Sequence, residues 1–138
     1  MWIEFYDEQA QEWRPADPTL GLVGLEQWLK ARVGFEARPV HHMIPSRDML
    51  VPIYIMAHDE KTNKPGENRT EYYLIQSFNK VYGGRLERLA AWQKWVEMVR
   101  FINPHCEAAF KGKENLHQYN DALAKIADVY DELKKQSH

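Results

Sequence analysis

The apolar residues of this chain change their spacing at about residue 70, and that change limits the fold more than any other feature. Before it, apolar residues fall in short runs broken by Asp17-Pro18, Gly21, Gly34 and Pro52. After it, they recur at helical intervals. Strand-like segments followed by helical ones, without alternation, predict an α+β fold rather than a doubly wound one.

The helical half carries the clearer signals. Leu116, Tyr119, Leu123, Ile126, Tyr130 and Leu133 step by 3, 4, 3, 4 and 3. This narrow seam predicts a helix over 114–135. At about three heptads it is short for a free coiled coil, so the seam is expected to pack on the chain's own core. A homodimer through 114–135 is the alternative. Leu86, Leu89, Trp92, Val96, Val99 and Ile102 step by 3, 3, 4, 3 and 3, predicting a helix over 85–102. Asn103-Pro104 should end it, because a residue before proline is steered out of helical dihedrals. Leu74, Phe78, Val81 and Tyr82 favour a helix over 71–82 with Thr70 as its cap. The competing reading is a strand over 72–77 paired with 49–57.

In the first half, Trp2, Phe5, Tyr6 and Trp13 flank the polar run Asp7 to Glu12, predicting a hairpin over 1–15. Leu22, Leu25, Leu29 and Val33 predict a helix over 22–33, capped by Asp17 or Thr19 and stopped at Gly34. Residues 35–43 and 49–57 read as strands, the second the most apolar stretch of the chain, with Pro52 placing it at an edge or bulge. Residues 58–70 are polar and contain Pro65-Gly66, so they read as a loop. The expected architecture is one compact domain over 1–138. It has a small N-terminal antiparallel sheet with one helix, followed by a helical C-terminal half.

Composition narrows the function. The 138 residues include 18 Lys+Arg and 20 Asp+Glu, for a net charge of −2. With 44% hydrophobic and 12% aromatic residues the chain is too apolar for disorder. It is not basic enough to advertise nucleic-acid binding. One cysteine excludes a disulfide scaffold or a multi-cysteine zinc site. Residues Met1 to Glu8 show no basic and apolar leader, and the apolar run Met49 to Ala57 falls short of the ~20 residues a membrane helix needs. A reduced, cytoplasmic protein with no membrane contact is the expectation. Asn68-Arg69-Thr70 matches a glycosylation acceptor, a pattern common by chance.

Several residues invite chemical readings. His41-His42-Met43-Ile44-Pro45 resembles the opening of the ββα-metal (HNH) nuclease motif, in which the second histidine activates water. The resemblance implies His42 as general base, with His58 and Asn68 as candidates for later positions. Pro65-Gly66 stands where that family has a short helix, and no zinc-knuckle cysteines flank the segment. His41, His42, His58, His105, Cys106 and His117 lack metal-ligand spacing, and adjacent histidines on a strand point to opposite faces. No metal or cofactor is therefore expected. Cys106 follows Pro104 and would be activated if it lay near a helix start, but a buried structural thiol is the plainer reading. Gly21-Leu22-Val23-Gly24 lacks the spacing and partners of a phosphate loop.

The remaining signal is aromatic. Five Trp and seven Tyr exceed what a core of this size needs, and such side chains dominate interface hot spots. Trp2 and Trp13 are placed to share one face of the first hairpin. Lys80, Arg85, Arg88, Lys94 and Arg100 decorate the middle helices, with Glu87 and Glu97 interleaved. The expectation is a non-enzymatic protein–protein interaction protein, such as an adaptor, inhibitor or immunity-type protein of phage or bacterial origin. Its expected surface combines Lys64, Arg69, Arg85, Arg88, Trp92 and Trp95 against a protein partner not identified by sequence. The alternatives are a metal-dependent hydrolase or nuclease using His42 and His58, and a nucleic-acid-binding protein.

Overall fold

The computed structural model describes residues 2–35, 52–59 and 64–137, with the backbone alone for 58, 59 and 64–66. The fold is α+β: a small antiparallel sheet with one helix, followed by a helical C-terminal half. Contacts group the chain into two units, Met1–Leu50 and Val51–His138. Among the described residues, no helix is long and apolar enough to cross a membrane. The expected strand over 35–43 lies almost entirely outside the described residues, as does the His41-His42 segment.

The first unit is built on three antiparallel strands in the order β1 (Ile3–Asp7), β2 (Glu12–Asp17) and β3 (Leu22–Val23). β1 and β2 form the expected hairpin, with Tyr6 opposite Trp13 and Phe5 opposite Arg14. Its turn is organised by Asp7, whose carboxylate accepts from the amides of Gln9 and Ala10 and from the Arg14 guanidinium. Gln11 takes a left-handed conformation, φ 52°, to close the turn.

Helix α1 (Leu25–Arg32) follows, shorter than expected because Leu22 and Val23 pair with β2 instead of joining the helix. Gly24 precedes it at φ 103°, a conformation open to glycine, and its amide bonds the Pro15 carbonyl. Asp17 does not cap this helix. It accepts from the Leu20 amide and, through its other oxygen, from Arg32 Nε at 2.7 Å. That ties the end of β2 to the end of α1. The helix closes with the Val33 and Gly34 amides on the Leu29 carbonyl. Trp28 and Leu29 are fully buried, and Trp2 lies against Trp28 at 4.4 Å between ring centroids.

In the second unit, 52–55 are irregular, and strand begins only at β4 (Met56–Asp59). It pairs antiparallel with β5 (Lys64–Asn68), so part of the expected 58–70 loop is a hairpin. The register shifts between Met56 and His58, and Pro65 faces His58. Among the described residues this ladder has two strands, and a bulged ladder of that kind tolerates a proline that an inner strand would not.

Beyond β5 the chain is helical, as the period predicts, and not a strand. Residues Tyr72–Ser77 form a π-helical stretch that passes into α2 (Phe78–Val81). Thr70 is not the cap. Its hydroxyl bonds the backbone of Ile55, and its amide donates to Asn68 Oδ1. Gly83 and Gly84 turn the chain at φ 72° and 75°. A 3-10 turn at Leu86–Arg88 then leads into α3 (Ala90–Phe110).

Helix α3 runs through Pro104 rather than ending at it. The proline withholds one helical hydrogen bond from the Arg100 carbonyl, a cost of about 3 kcal/mol in a free helix. The helix continues because its buried face does: Ile102 and Cys106 extend the stripe of Trp95, Val96 and Val99. A second 3-10 turn, Leu116–Tyr119, opens α4 (Asn120–Gln136), which packs along α3. Ile126, Tyr130 and Leu133 of the predicted seam are buried, so the C-terminal half of the seam faces this chain's own core. Phe78 is the hub, with Tyr82, Trp92, Trp95 and Tyr130 all within 6.4 Å of its ring centroid. Each such fully buried side chain contributes about 1.5–3 kcal/mol.

Candidate functional site

The side chains expected to form a surface on the middle helices do not do so together. Trp95 is 0% exposed and Trp92 8% exposed. Trp95 sits between α2, α4 and the π-helical stretch, and its indole N–H donates to the Leu74 carbonyl at 2.8 Å. A wholly buried ring offers no contact area to a partner. Trp92 packs edge-on to Phe78 at 6.1 Å.

The basic residues are placed differently. Arg85 and Arg88 are exposed at the two ends of one 3-10 turn, where residues three apart share a side. Between them, Glu87 is held by Asn79 through its amide and carboxylate. Arg85 lies 5.7 Å from the Tyr82 ring centroid. Arg69 is half-buried, its guanidinium 4.5 Å over the Tyr72 ring and 5.6 Å from that of Tyr73. The side chains of Lys64 and His58 lie outside the described residues, as does the whole of His42.

Cys106 lies late in α3, far from the helix start that would activate a thiol. It is 4% exposed, and burial pushes its pKa above the ordinary value. Beside it, burial and the Glu107 carboxylate raise the Tyr54 phenol. Asn68 donates to Asn103 Oδ1 at 2.8 Å and reaches Glu107 at 3.4 Å. This ties β5 to α3 across the proline and commits the amide of the Asn-Arg-Thr triplet to internal contacts. His105 Nδ1 is 2.9 Å from Glu114, and its ring stacks on Tyr119 at 4.2 Å. His117 is exposed on the following turn. Among the described residues, no three His, Cys, Asp or Glu side chains could hold a metal ion together.

Among the described residues, exposed aromatic rings occur on α3, at Phe101 and Phe110, and as a cross-strand pair on the first hairpin. Tyr6 and Trp13 are cross-strand neighbours whose rings meet edge to face at 5.6 Å, yet they remain 49% and 53% exposed. Alternation puts Trp2 and Tyr6 on one face, and the β1–β2 register adds Trp13 to it. Trp2 is covered by Trp28, while Tyr6 and Trp13, nearer the turn, are not. On the opposite face, Ile3 and Val23 are 52% and 60% exposed, each paired with Ala16 of the central strand. The shared face of Trp2 and Trp13 was readable from alternation; the exposure of Trp13 follows from the short reach of α1.

Comparison with known proteins found no family model, curated protein or solved structure that matches the chain.

Proposed function

We propose that this chain is a non-enzymatic protein–protein interaction protein that engages its partner through Tyr6 and Trp13. The supporting observation is the exposure of about half of each ring in a pair already held in place by the β1–β2 ladder. Trp and Tyr are the side chains most often found at binding hot spots. A pair fixed across two strands has little conformational freedom to lose on docking, which lowers the cost of association. Ile3 and Val23 add apolar area on the reverse face. An adaptor, inhibitor or immunity-type role in a phage or bacterial cytoplasm is part of this proposal.

The test is affinity capture from source-cell lysate with the wild-type chain and with Trp13→Ala, each treated with nuclease before mass spectrometry. A stoichiometric protein that survives nuclease and is lost with Trp13→Ala supports the reading. A partner retained equally by both chains overturns the surface. A capture that vanishes with nuclease overturns the protein-binding function in favour of nucleic acid.

A further inference from the structure

We propose that Arg85 and Arg88 form a second docking surface, whose occupant is an extended acidic segment of a protein partner with two carboxylates about 6 Å apart. This surface is separate from Tyr6 and Trp13 and does not depend on them.

The chain pairs its arginines, with two exceptions. Six arginines have described side chains. Arg14, Arg32, Arg69 and Arg100 each pair with a carboxylate. Among the described residues, no carboxylate pairs with the other two, and these are Arg85 and Arg88, both exposed on one 3-10 turn. The acid beside them in sequence is held elsewhere. Asn79 accepts from the Glu87 amide at 3.1 Å and donates to the Glu87 carboxylate at 3.3 Å.

The two guanidiniums rise from a fixed base. Leu86 is fully buried, and the Arg88 and Leu89 amides close the turn on the carbonyls of Arg85 and Leu86. Helix α3 begins at Ala90, two residues beyond Arg88, and its first turn holds no acid. The Ala91 amide is taken by the neutral Gln136 side chain at 2.9 Å. The positive end of the helix therefore adds to the two guanidiniums, with no acid in that turn to offset it.

A guanidinium grips a carboxylate through two parallel N–H bonds, and Arg is the charged residue enriched at interfaces. On a 3-10 turn, residues three apart share a side and rise about 6 Å. Alternate residues of an extended chain also share a side, about 6.6 Å apart. Acids at i and i+2 of such a segment meet both arginines at once. Nucleic acid fits less well. Its affinity grows with the number of phosphates neutralised, two arginines neutralise few, and Glu87 stands between them. The nearby rings of Tyr82 and Trp92 are 7% and 8% exposed, too covered to stack on bases.

The experiment measures fluorescence anisotropy with the full chain. The probes are a labelled peptide of alternating glutamate and serine, its lysine counterpart and a single-stranded oligonucleotide of similar length. The glutamate peptide should bind and the lysine peptide should not. Arg85→Ala and Arg88→Ala should each weaken binding by about tenfold. Arg85→Lys with Arg88→Lys should recover only part of it, because an ammonium lacks the fork. Asn79→Ala leaves the net charge unchanged but frees Glu87 to compete for the arginines, and should weaken binding several-fold. Lys113→Ala and Lys125→Ala, at exposed cations elsewhere, should leave it nearly unchanged. Circular dichroism verifies that each variant keeps its fold. No binding of the glutamate peptide at about 1 mM chain, equal binding of the lysine peptide, or binding that ignores both arginines would overturn the proposal. So would losses matched by Lys113→Ala or Lys125→Ala, an oligonucleotide that binds more tightly than the peptide, or a dimer in sedimentation that Arg85→Ala dissolves. Trp13→Ala should not affect the glutamate peptide, so this proposal and the Tyr6–Trp13 surface fail separately.

Discussion

Trp95 donates its indole N–H to the backbone carbonyl of Leu74 at 2.8 Å, from the second turn of α3 into the π-helical stretch. The bond is buried and spans two segments far apart in sequence. It explains why a tryptophan at the edge of the α3 apolar stripe is inside rather than outside. The carbonyl of a widened turn is available there, and the indole is the side chain long enough to reach it with a donor.

Removing that donor should destabilise the fold. Trp95→Phe keeps most of the ring volume but leaves the Leu74 carbonyl buried without this partner, at a cost of about 1–3 kcal/mol. Trp95→Ala adds a cavity and should cost about 3–5 kcal/mol. Urea unfolding followed by circular dichroism measures both. A Phe variant as stable as wild type would show that the bond contributes nothing net.

Asp17 and Arg32 should make stability pH-dependent. Burial acts to raise the Asp17 carboxyl, but hydrogen bonds from Arg32 and the Leu20 amide outweigh it, and the net position is below the ordinary 3.8. The folded value is the lower one. The stabilisation is therefore complete above the unfolded value and is lost as pH falls from 3.8 through the folded value. The stability gap between wild type and Asp17→Asn should be constant near neutrality and shrink below about pH 4. A gap unchanged down to about pH 2 would contradict the ion pair's role.

Pro104 should be a local liability. Pro104→Ala restores the amide that the Arg100 carbonyl lacks and is expected to raise stability by about 1–3 kcal/mol. Thermal unfolding reads the change directly. A lower midpoint would mean that the proline ring is packed in a way the helix depends on.

Cys106 should be inert while the chain is folded. Burial disfavours its thiolate and blocks approach. A thiol reagent at neutral pH should react about tenfold or more slowly with the native chain than with the chain in denaturant. Equal rates would place the thiol at the surface.

What the sequence made legible follows from how each signal arises. The first hairpin could be read because β-favouring Phe5, Tyr6 and Trp13 flank a polar turn, and α4 because its apolar residues keep one period. The π-helical stretch could not, because Tyr73, Leu74 and Ile75 are consecutive and apolar, and contiguous residues carry no phase. Local dihedral preference points to a helix end at Pro104, and tertiary burial of Cys106 overrides it. The polarity of 58–70 points to a loop, but a two-stranded ladder is held by backbone bonds that composition does not show. For the candidate site, the value of aromatic residues was legible and their location was not. Trp92 and Trp95 looked like surface anchors until the hub at Phe78 claimed them, whereas Trp13 stays in solvent because α1 covers Trp2 and not the turn.

The π-helical stretch also sets how this chain can change length. Tyr73, Leu74 and Ile75 within it and Phe78 after it are all buried, although they are too closely spaced for one narrow α-helical stripe. The wider turn acts as a phase adjuster between two helical faces. A π-turn holds one residue more than an α-turn, so deleting one residue within 72–77 would let ordinary helix form there and leave the upstream side chains nearly in phase with Phe78. Arg69, Asn68 and the β5 strand would keep their side of the helix. The segment that looks most irregular is thus the helical segment best able to lose a residue.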